Sequence, residues 1–204
     1  MKKIPQALVC LPFQFLSFPF LLTMFIMAAT VNPLMAQKDK PVAPELPRND
    51  DDSLVYYMEV IPIDDADNIE LFKRARIWIN DYYKNPGSII EELDSVNGKI
   101  VLKPQFPTYR TLKNEVKAQS AIVRYTLVLG FKDGKYRYEI KDLNLKAESY
   151  FPIEKLFNEK EVNSDNIADN FNTLKETDIV LRSLINNLKE TMKEPSVKVK
   201  KDEW

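Results

Sequence analysis

The chain has no histidine, a single cysteine and only four glycines among its 204 residues. Without histidine it lacks the commonest general base, every Ser-His or Cys-His nucleophile pair and every imidazole metal ligand. The one cysteine, Cys10, lies near the N-terminus, which excludes an intrachain disulfide and a zinc–thiolate cluster. None of the glycines forms a loop of the kind that cradles phosphate groups. We therefore expect a protein without a metal or another cofactor.

The sequence does contain enough apolar material for a globular core. Hydrophobic residues make up 45% of the chain and charged residues 29%, a balance that argues against general disorder. The formal net charge is −1, so the global basic field of a nucleic-acid-binding protein is missing. We expect one domain with extensions and no nucleic-acid partner.

Residues 1–36 have the pattern of an export signal peptide. Lys2 and Lys3 provide a positive start, a long apolar stretch follows, and Ala36 stands at the expected position before the cleavage site. An uncleaved membrane anchor is the alternative, because residues 7–31 are long enough for a bilayer span of roughly 20 residues. Prolines and polar residues within the stretch favour cleavage. We expect export to the periplasm or the cell exterior, with membrane contact only if the leader is retained.

Both flanks of the remaining chain are polar. Removal of the leader takes away two lysines and no acidic residue, which leaves 27 basic and 30 acidic residues and a net charge of −3. Residues 37–53 contain three prolines and many charges, so we predict a disordered linker. Residues 194–204 combine Pro195 with three lysines among acids and predict a flexible tail.

The segment between these flanks, 54–193, begins with a strand and a helix. Residues 54–63 are rich in β-branched and aromatic side chains, which is typical of a strand. Acidic residues at 64–67 then offer an N-cap for a helix over about 68–83. Its apolar residues recur on one face, which predicts a core-facing stripe: Leu71, Phe72, Ala75, Trp78, Ile79 and Tyr82.

Two hairpins follow the helix. Asn97-Gly98 between apolar runs predicts the first turn, because both residues accept positive φ. Asp133-Gly134 predicts the second turn, between long alternating strands at 120–132 and 135–142. Between the hairpins, residues 104–117 hold two prolines and few apolar side chains, so we expect a loop that carries Tyr109 and Arg110.

A long helix is predicted over 164–193. Its apolar residues recur at spacings of three and four: Ile167, Phe171, Leu174, Leu181, Ile185, Leu188 and Met192. The same stripe would suit a coiled-coil partner, but the long strands present one apolar face that needs a cover. We therefore predict an α+β domain, in which helices cover one face of a curved antiparallel sheet of about five strands, in the order β-α-β-β-β-β-α.

This pattern resembles a family of secreted proteins from Bacteroides-type bacteria, a domain of unknown function with a TATA-binding-protein-like (TBP-like) fold. The resemblance covers about residues 54–145. Its features are core and turn residues: Glu59-Val60 in the first strand, Leu71, Ala75 and Trp78 in the helix, the 95–100 turn and the 124–127 strand. It implies a TBP-like architecture. It carries no catalytic motif, and fold alone does not imply DNA binding.

The sequence favours a non-enzymatic module that binds a protein or a small ligand of the cell envelope. We expect the ligand on the open sheet face, at Arg124, Thr126, Arg137 and Glu139. A glycan hydrolase is the first alternative, because paired carboxylates work without histidine. Its candidate residues are Glu59, Glu91, Glu92 and Glu139. A membrane-anchored accessory factor is the second alternative and requires a retained leader.

Overall fold

The computed structural model describes residues 41–112, 115–158 and 167–197. Within these residues, seven strands form one antiparallel sheet and two α-helices pack on one of its faces. The predicted leader lies outside the described residues. No helix in the described part of the chain is long and apolar enough to cross a membrane. The elements in chain order are β1 (Tyr57–Pro62), α1 (Asn68–Tyr82), β2 (Ile90–Asp94), β3 (Lys99–Leu102), β4 (Gln105–Thr111), β5 (Lys117–Lys132), β6 (Lys135–Leu145), β7 (Phe151–Pro152) and α2 (Ile167–Lys193).

The β5–β6 hairpin is the centre of the sheet. Its strands pair from Lys132 and Lys135, beside the turn, as far as Val123 and Leu145. The main strand order is β1-β6-β5-β3-β2, while β4 continues along β5 beyond β3, and β7 continues along β6 beyond β1. Two short strands therefore lie end to end on the outer side of each central strand.

Strand β4 corrects the loop that we expected over 104–117. Gln105–Thr111 pairs with β5 in antiparallel register, with Pro107 opposite Ile122. Because β4 pairs on one side only, it tolerates a proline that would interrupt a central strand. Tyr109 and Arg110, expected in a loop, lie in this strand.

Helix α1 begins as its sequence predicts and buries its predicted stripe except for Tyr82, which is exposed at the end of the helix, while Arg74 is buried beside the stripe. The side chain of Asp67 caps it by accepting a hydrogen bond from the Glu70 backbone N–H at 2.7 Å. Trp78 is buried, and its indole N–H donates to the side chain of Asn187 on α2 at 2.8 Å. This contact joins the two helices over the sheet, and the role of Trp78 as a core anchor is confirmed.

Helix α2 docks along the same face, as predicted. The predicted residues 164–166 lie outside the described part of the chain. Its buried stripe faces the sheet and α1: Phe171, Leu174, Leu181, Leu184, Ile185, Leu188 and Met192. Asp178, which interrupts the stripe, accepts a hydrogen bond from the Tyr57 hydroxyl at 2.8 Å. The polar side chain that interrupts the apolar stripe of α2 thus has a hydrogen-bond partner on β1.

Described residues in both polar flanks contact the domain, although composition predicts a linker and a tail there. Leu46, inside the predicted linker, is buried in the core. Next to it, Arg48 forms an isolated antiparallel bridge with Val55. At the other end, Ser196, inside the predicted tail, hydrogen bonds to Glu70. Buried Leu46 and backbone hydrogen bonds from 47–49 to 53–56 hold the first segment, and two hydrogen bonds to Glu70 hold Ser196. None of these signals stands out in a charged sequence.

Candidate functional site

The open face of the sheet is the side opposite the helices. Met58, Val60, Val128 and Glu139 lie on it, while their neighbours in each strand face the side that carries the helices. Met58 is 51% exposed and Val60 50% exposed. Both helices of the described chain pack on the other face. The open face is therefore a broad surface in which apolar and charged side chains alternate.

An ion cluster occupies the middle of the open face. Arg137 contacts the Glu139 carboxylate at 2.7 Å, and Lys141 lies 3.9 Å from the same carboxylate. The Glu139 side chain is only 12% exposed. Burial, followed by the negative charge of Glu139 and a hydrogen bond to it, raises the pKa of Tyr56. One carboxylate thus organises two cations and a tyrosine.

The four predicted ligand residues all lie on the open face but do not form one cluster. Arg137 and Glu139 are in contact. Thr126 lies opposite Lys141 and is half-buried. Arg124 lies further along β5, opposite Gln105 of β4, and is exposed. The structure joins Arg137 and Glu139 on β6, places Thr126 beside their ion cluster and leaves Arg124 further along β5.

A cleft opens on this face near the two predicted hairpin turns. Its volume is about 400 Å³, and we call it the basic cleft because its lining holds four cations, Lys99, Lys132, Lys135 and Arg137. No carboxylate side chain of the described chain lines it. Volumes of roughly 300–1,000 Å³ are usual for small-ligand sites.

Glycines shape the floor and the end of the basic cleft. Gly130 pairs with Lys99 on one side and Arg137 on the other, and a Cβ built on it would meet no atom within 4 Å. Gly98 adopts φ +62°, and its carbonyl accepts the N–H of Phe131 at 2.8 Å. A Cβ at Gly98 would lie 2.7 Å from the Phe131 carbonyl oxygen. The turn therefore approaches β5 as closely as only glycine allows.

The basic cleft was not predicted as such. Lys132 and Lys135 flank the Asp133-Gly134 turn, and Gly130 interrupts an otherwise regular strand. These are usual positions for solvated lysines and for a strand glycine. The register of β3, β5 and β6 places Lys99 and Arg137 beside Gly130. Only this register brings the four cations together in one cleft.

A second groove, of about 560 Å³, runs between β1 and α2 on the helix side. Glu59 accepts hydrogen bonds there from Tyr138 and Lys189. Lys189 is the main cause that lowers the pKa of Glu59. Burial, reinforced by the hydrogen bond to Asp178, raises the pKa of Tyr57. These interactions favour the ionised form of Glu59 and the neutral form of Tyr57, and they fasten β1 to α2.

The four carboxylates considered for hydrolysis are dispersed. Glu59 faces the helices, whereas Glu139 lies on the open face. Glu91 pairs with Lys103, and Glu92 pairs with Lys99. Glu92 and Glu139 share one row of the sheet but are three strands apart, or about 14 Å at the usual strand spacing. Glycosidase carboxylate pairs lie roughly 5–9.5 Å apart.

The described residues hold no group of three or more acidic, histidine or cysteine side chains arranged to bind a metal ion. Arg110 of β4 forms an ion pair with Asp169 of α2. Asn172 donates to the Tyr109 carbonyl at 2.8 Å. Both residues thus fasten β4 to α2.

Comparison with known proteins agrees with this architecture. Residues 57–146 match the family model described as a domain of unknown function (DUF4468) with TBP-like fold. The predicted resemblance to a domain of unknown function with a TBP-like fold is confirmed over this segment. The DUF4468 segment contains β1 to β6 and hence the basic cleft. Among curated proteins, none matches the chain significantly.

Two solved structures share the fold. One is a TBP-like protein from Parabacteroides distasonis, 15% identical, with a TM-score of 0.55 over 69% of this chain and 94% of that one. The other is a DUF4468 family protein from Bacteroides ovatus, 13% identical, with a TM-score of 0.56 over 76% of this chain and 93% of that one. At such identities the likeness establishes the α+β, TBP-like fold.

Proposed function

We propose that the chain is an exported, non-enzymatic binding module of the cell envelope that holds its ligand on the open face of the sheet. The observation that carries the proposal is the combination on this face of exposed apolar residues, Met58 and Val60, with the basic cleft. Apolar area beside a few convergent polar groups is the usual composition of a binding surface.

The chemistry of the candidate carboxylates supports binding over catalysis. A glycosidase needs one carboxylic acid that stays protonated near neutral pH and a second group within reach of the same bond. The pKa of Glu59 is lowered by Lys189, which disfavours the acid role. Glu92 and Glu139, which share the open face, are too far apart for the pair.

Export is supported by the leader, and the charge of the remaining chain fits a partner other than nucleic acid. The positive start, apolar stretch and Ala36 of residues 1–36 are typical of a cleaved signal. Without the leader the net charge is −3, and the basic cleft gathers four cations in one small area and forms no long basic stripe. A small ligand or an envelope protein suits that distribution.

Methyl NMR of the chain tests the proposal, with a pool of neutral and acidic oligosaccharides and short peptides as the probe. Val60, Val101 and Val128 report on the open face, while Leu127 and Leu129 report on the buried face of the same sheet. We expect the pool to shift the valine signals and leave the leucine signals in place. Shifts confined to the leucines, or no shift at all, would contradict binding on the open face.

A parallel assay for turnover separates binding from hydrolysis. We expect no cleavage of any oligosaccharide in the pool by the wild type. Cleavage that is lost in Glu59→Gln or Glu139→Gln, while the variant keeps the wild-type melting temperature, would establish the hydrolase alternative. Lys73→Gln, on the helix side and exposed, is the matched control for the effect of a charge change.

A further inference from the structure

The basic cleft concentrates positive charge that the surrounding sheet balances only in part. Lys132 and Lys135 are direct cross-strand partners at the end of the β5–β6 hairpin. Like charges in this position destabilise a strand pair. Arg137 follows Lys135 on the same face, and Lys99 lies across Gly130 from it. Four cations thus surround a position that has no side chain.

The nearby carboxylates are engaged elsewhere. Asp133, in the turn between the two lysines, accepts the N–H of Asn68 at 2.9 Å and so faces α1. Asp94 accepts the N–H groups of Val96 and Asn97 in the neighbouring turn. Both acids serve local structure. Asp133 is therefore engaged away from the cleft, while Asp94 is held mainly by its own turn and only weakly by Lys99.

Two of the four cations have a carboxylate partner outside the cleft, and two do not. Lys99 pairs with Glu92 at 2.8 Å, and Arg137 pairs with Glu139 at 2.7 Å. Lys132 and Lys135 form no ion pair with any described residue. The ion pairs of Lys99 and Arg137 hold these two side chains in place beside Gly130. The unpaired lysines, Lys132 and Lys135, leave positive charge available for an external anion.

The floor of the cleft leaves room for close approach. A Cβ on Gly130 would meet nothing within 4 Å, and a glycine inside a strand often marks a place where a ligand comes near the backbone. Val60 and Val128 give the cleft an apolar wall. The volume of about 400 Å³ suits a compact ligand with a charged end and a less polar body.

We propose that the basic cleft binds a compact organic phosphate, with its phosphate group over Gly130 between Lys99 and Arg137. Lys132 and Lys135 supply the remaining positive charge. A phosphate suits this set because it carries up to two charges, accepts paired hydrogen bonds from a guanidinium and attracts ammonium groups as point charges. The inference rests on the proposed function, since the cleft is one end of the open face.

Calorimetric titration of the chain with two kinds of probe distinguishes the possible sources of the phosphate. Fructose 1,6-bisphosphate represents a soluble sugar phosphate, and fructose is its uncharged match. Phosphatidylglycerol vesicles represent a lipid headgroup, and phosphatidylcholine vesicles are their match without net charge. We expect one of the two charged probes to bind, more weakly as salt is raised, because exposed charges are screened.

Two variants with matched controls locate the site. Gly130→Leu fills the open space above the floor and should weaken binding at least about tenfold, while Gly87→Leu adds the same bulk at a glycine that is also unhindered. The double change Lys132→Gln/Lys135→Gln should weaken binding about tenfold. Lys73→Gln/Arg76→Gln removes the same charge from α1 and should change nothing.

Three outcomes would overturn the inference. They are failure of both charged probes to bind, binding that Gly130→Leu and the lysine variants leave unchanged, and tighter binding of a duplex oligonucleotide than of either probe. If the oligosaccharide and peptide pool still shifts Val101 and Val128, the proposed function stands and only the phosphate assignment fails. If those valines respond to no probe, both fail together.

Discussion

Glu70 on α1 accepts two hydrogen bonds from Ser196, which lies 126 positions later in the chain. The Ser196 backbone N–H donates at 2.7 Å, and its hydroxyl donates at 2.6 Å. Arg74 contacts the same carboxylate at 2.9 Å and donates to the Met192 carbonyl at 3.0 Å. The end of α2 is therefore fastened to α1 by one carboxylate and one guanidinium. The Ser196 hydrogen bonds, followed by Arg74, lower the pKa of Glu70 to about 2.

This arrangement makes part of the stability dependent on pH. The carboxyl has an ordinary pKa of 4.5 in the unfolded chain, so its folded-state pKa is the lower one. Its contribution is fully present above about pH 4.5 and is lost as the pH falls toward 2. We expect Glu70→Gln to cost about 1–2 kcal/mol at pH 7, after allowance for solvent screening, and almost nothing near pH 2.

Urea unfolding of wild type and Glu70→Gln at several pH values measures this difference. Glu190→Gln on α2 is the control, because Glu190 is exposed and pairs only with its helical neighbour Lys193. A difference between wild type and Glu70→Gln that stays constant from pH 7 to pH 2 would contradict the role of Ser196 and Arg74.

Leu181 is predicted to be indispensable to the fold. It is 0% exposed in the middle of the α2 stripe, whereas Ile179, two positions earlier, is 51% exposed. Leu181→Asp buries an unpaired charge and should abolish cooperative folding, while Ile179→Asp should melt close to wild type. Leu181→Ala, with an expected cost of about 2–5 kcal/mol, keeps the comparison measurable. Equal melting of the Asp variants, with a change only in oligomeric state, would make α2 an interaction arm.

Gly98, the glycine of the first hairpin, is predicted to be difficult to replace. Alanine there must adopt φ +62° with its Cβ 2.7 Å from the Phe131 carbonyl oxygen. We expect Gly98→Ala to lower the free energy of unfolding by about 1–3 kcal/mol. Gly87→Ala has open space and should be neutral or slightly stabilising. Denaturant unfolding measures the stability of Gly98→Ala and Gly87→Ala relative to wild type. Equal unfolding midpoints of the two variants would contradict the close approach of Gly98 to Phe131.

The leader prediction has a direct test. If residues 1–36 are a signal peptide, the exported protein begins at Gln37. Intact-mass measurement of the protein from the periplasm or the medium should give the mass of residues 37–204. A mass that includes the apolar stretch would support the anchored alternative instead. Ala36→Lys, which removes the small residue before the cleavage site, should leave the leader uncleaved.

Sequence patterns predicted the elements whose signal is local. The Asp67 cap, the apolar face of α1 and the two turns at Gly98 and Gly134 are each determined by neighbouring residues, and the structure contains them. Strand β4 was missed because its pairing depends on β5. Phe106 is one of few large apolar side chains in β4, and Pro107 weakens the strand pattern further.

The candidate site was predictable only in part for the same reason. Alternation along β6 placed Arg137 and Glu139 together on the open face, because residues two apart in a strand share a face. The approach of Lys99 to Gly130 depends on the register between β3 and β5. The periodicity of one strand does not determine its register with the neighbouring strand. The sequence pattern therefore could not predict the basic cleft.

The central hairpin also implies an order of assembly. β5 and β6 are joined by Asp133-Gly134, so their first contacts close a very short loop. The Tyr57–Asp178 contact between β1 and α2 instead joins residues 121 positions apart. Closing a long loop costs more chain entropy, and distant contacts form later than local ones. The hairpin that holds the basic cleft should therefore form early and keep its amide protons longest, while the β1–α2 seam closes last and opens first.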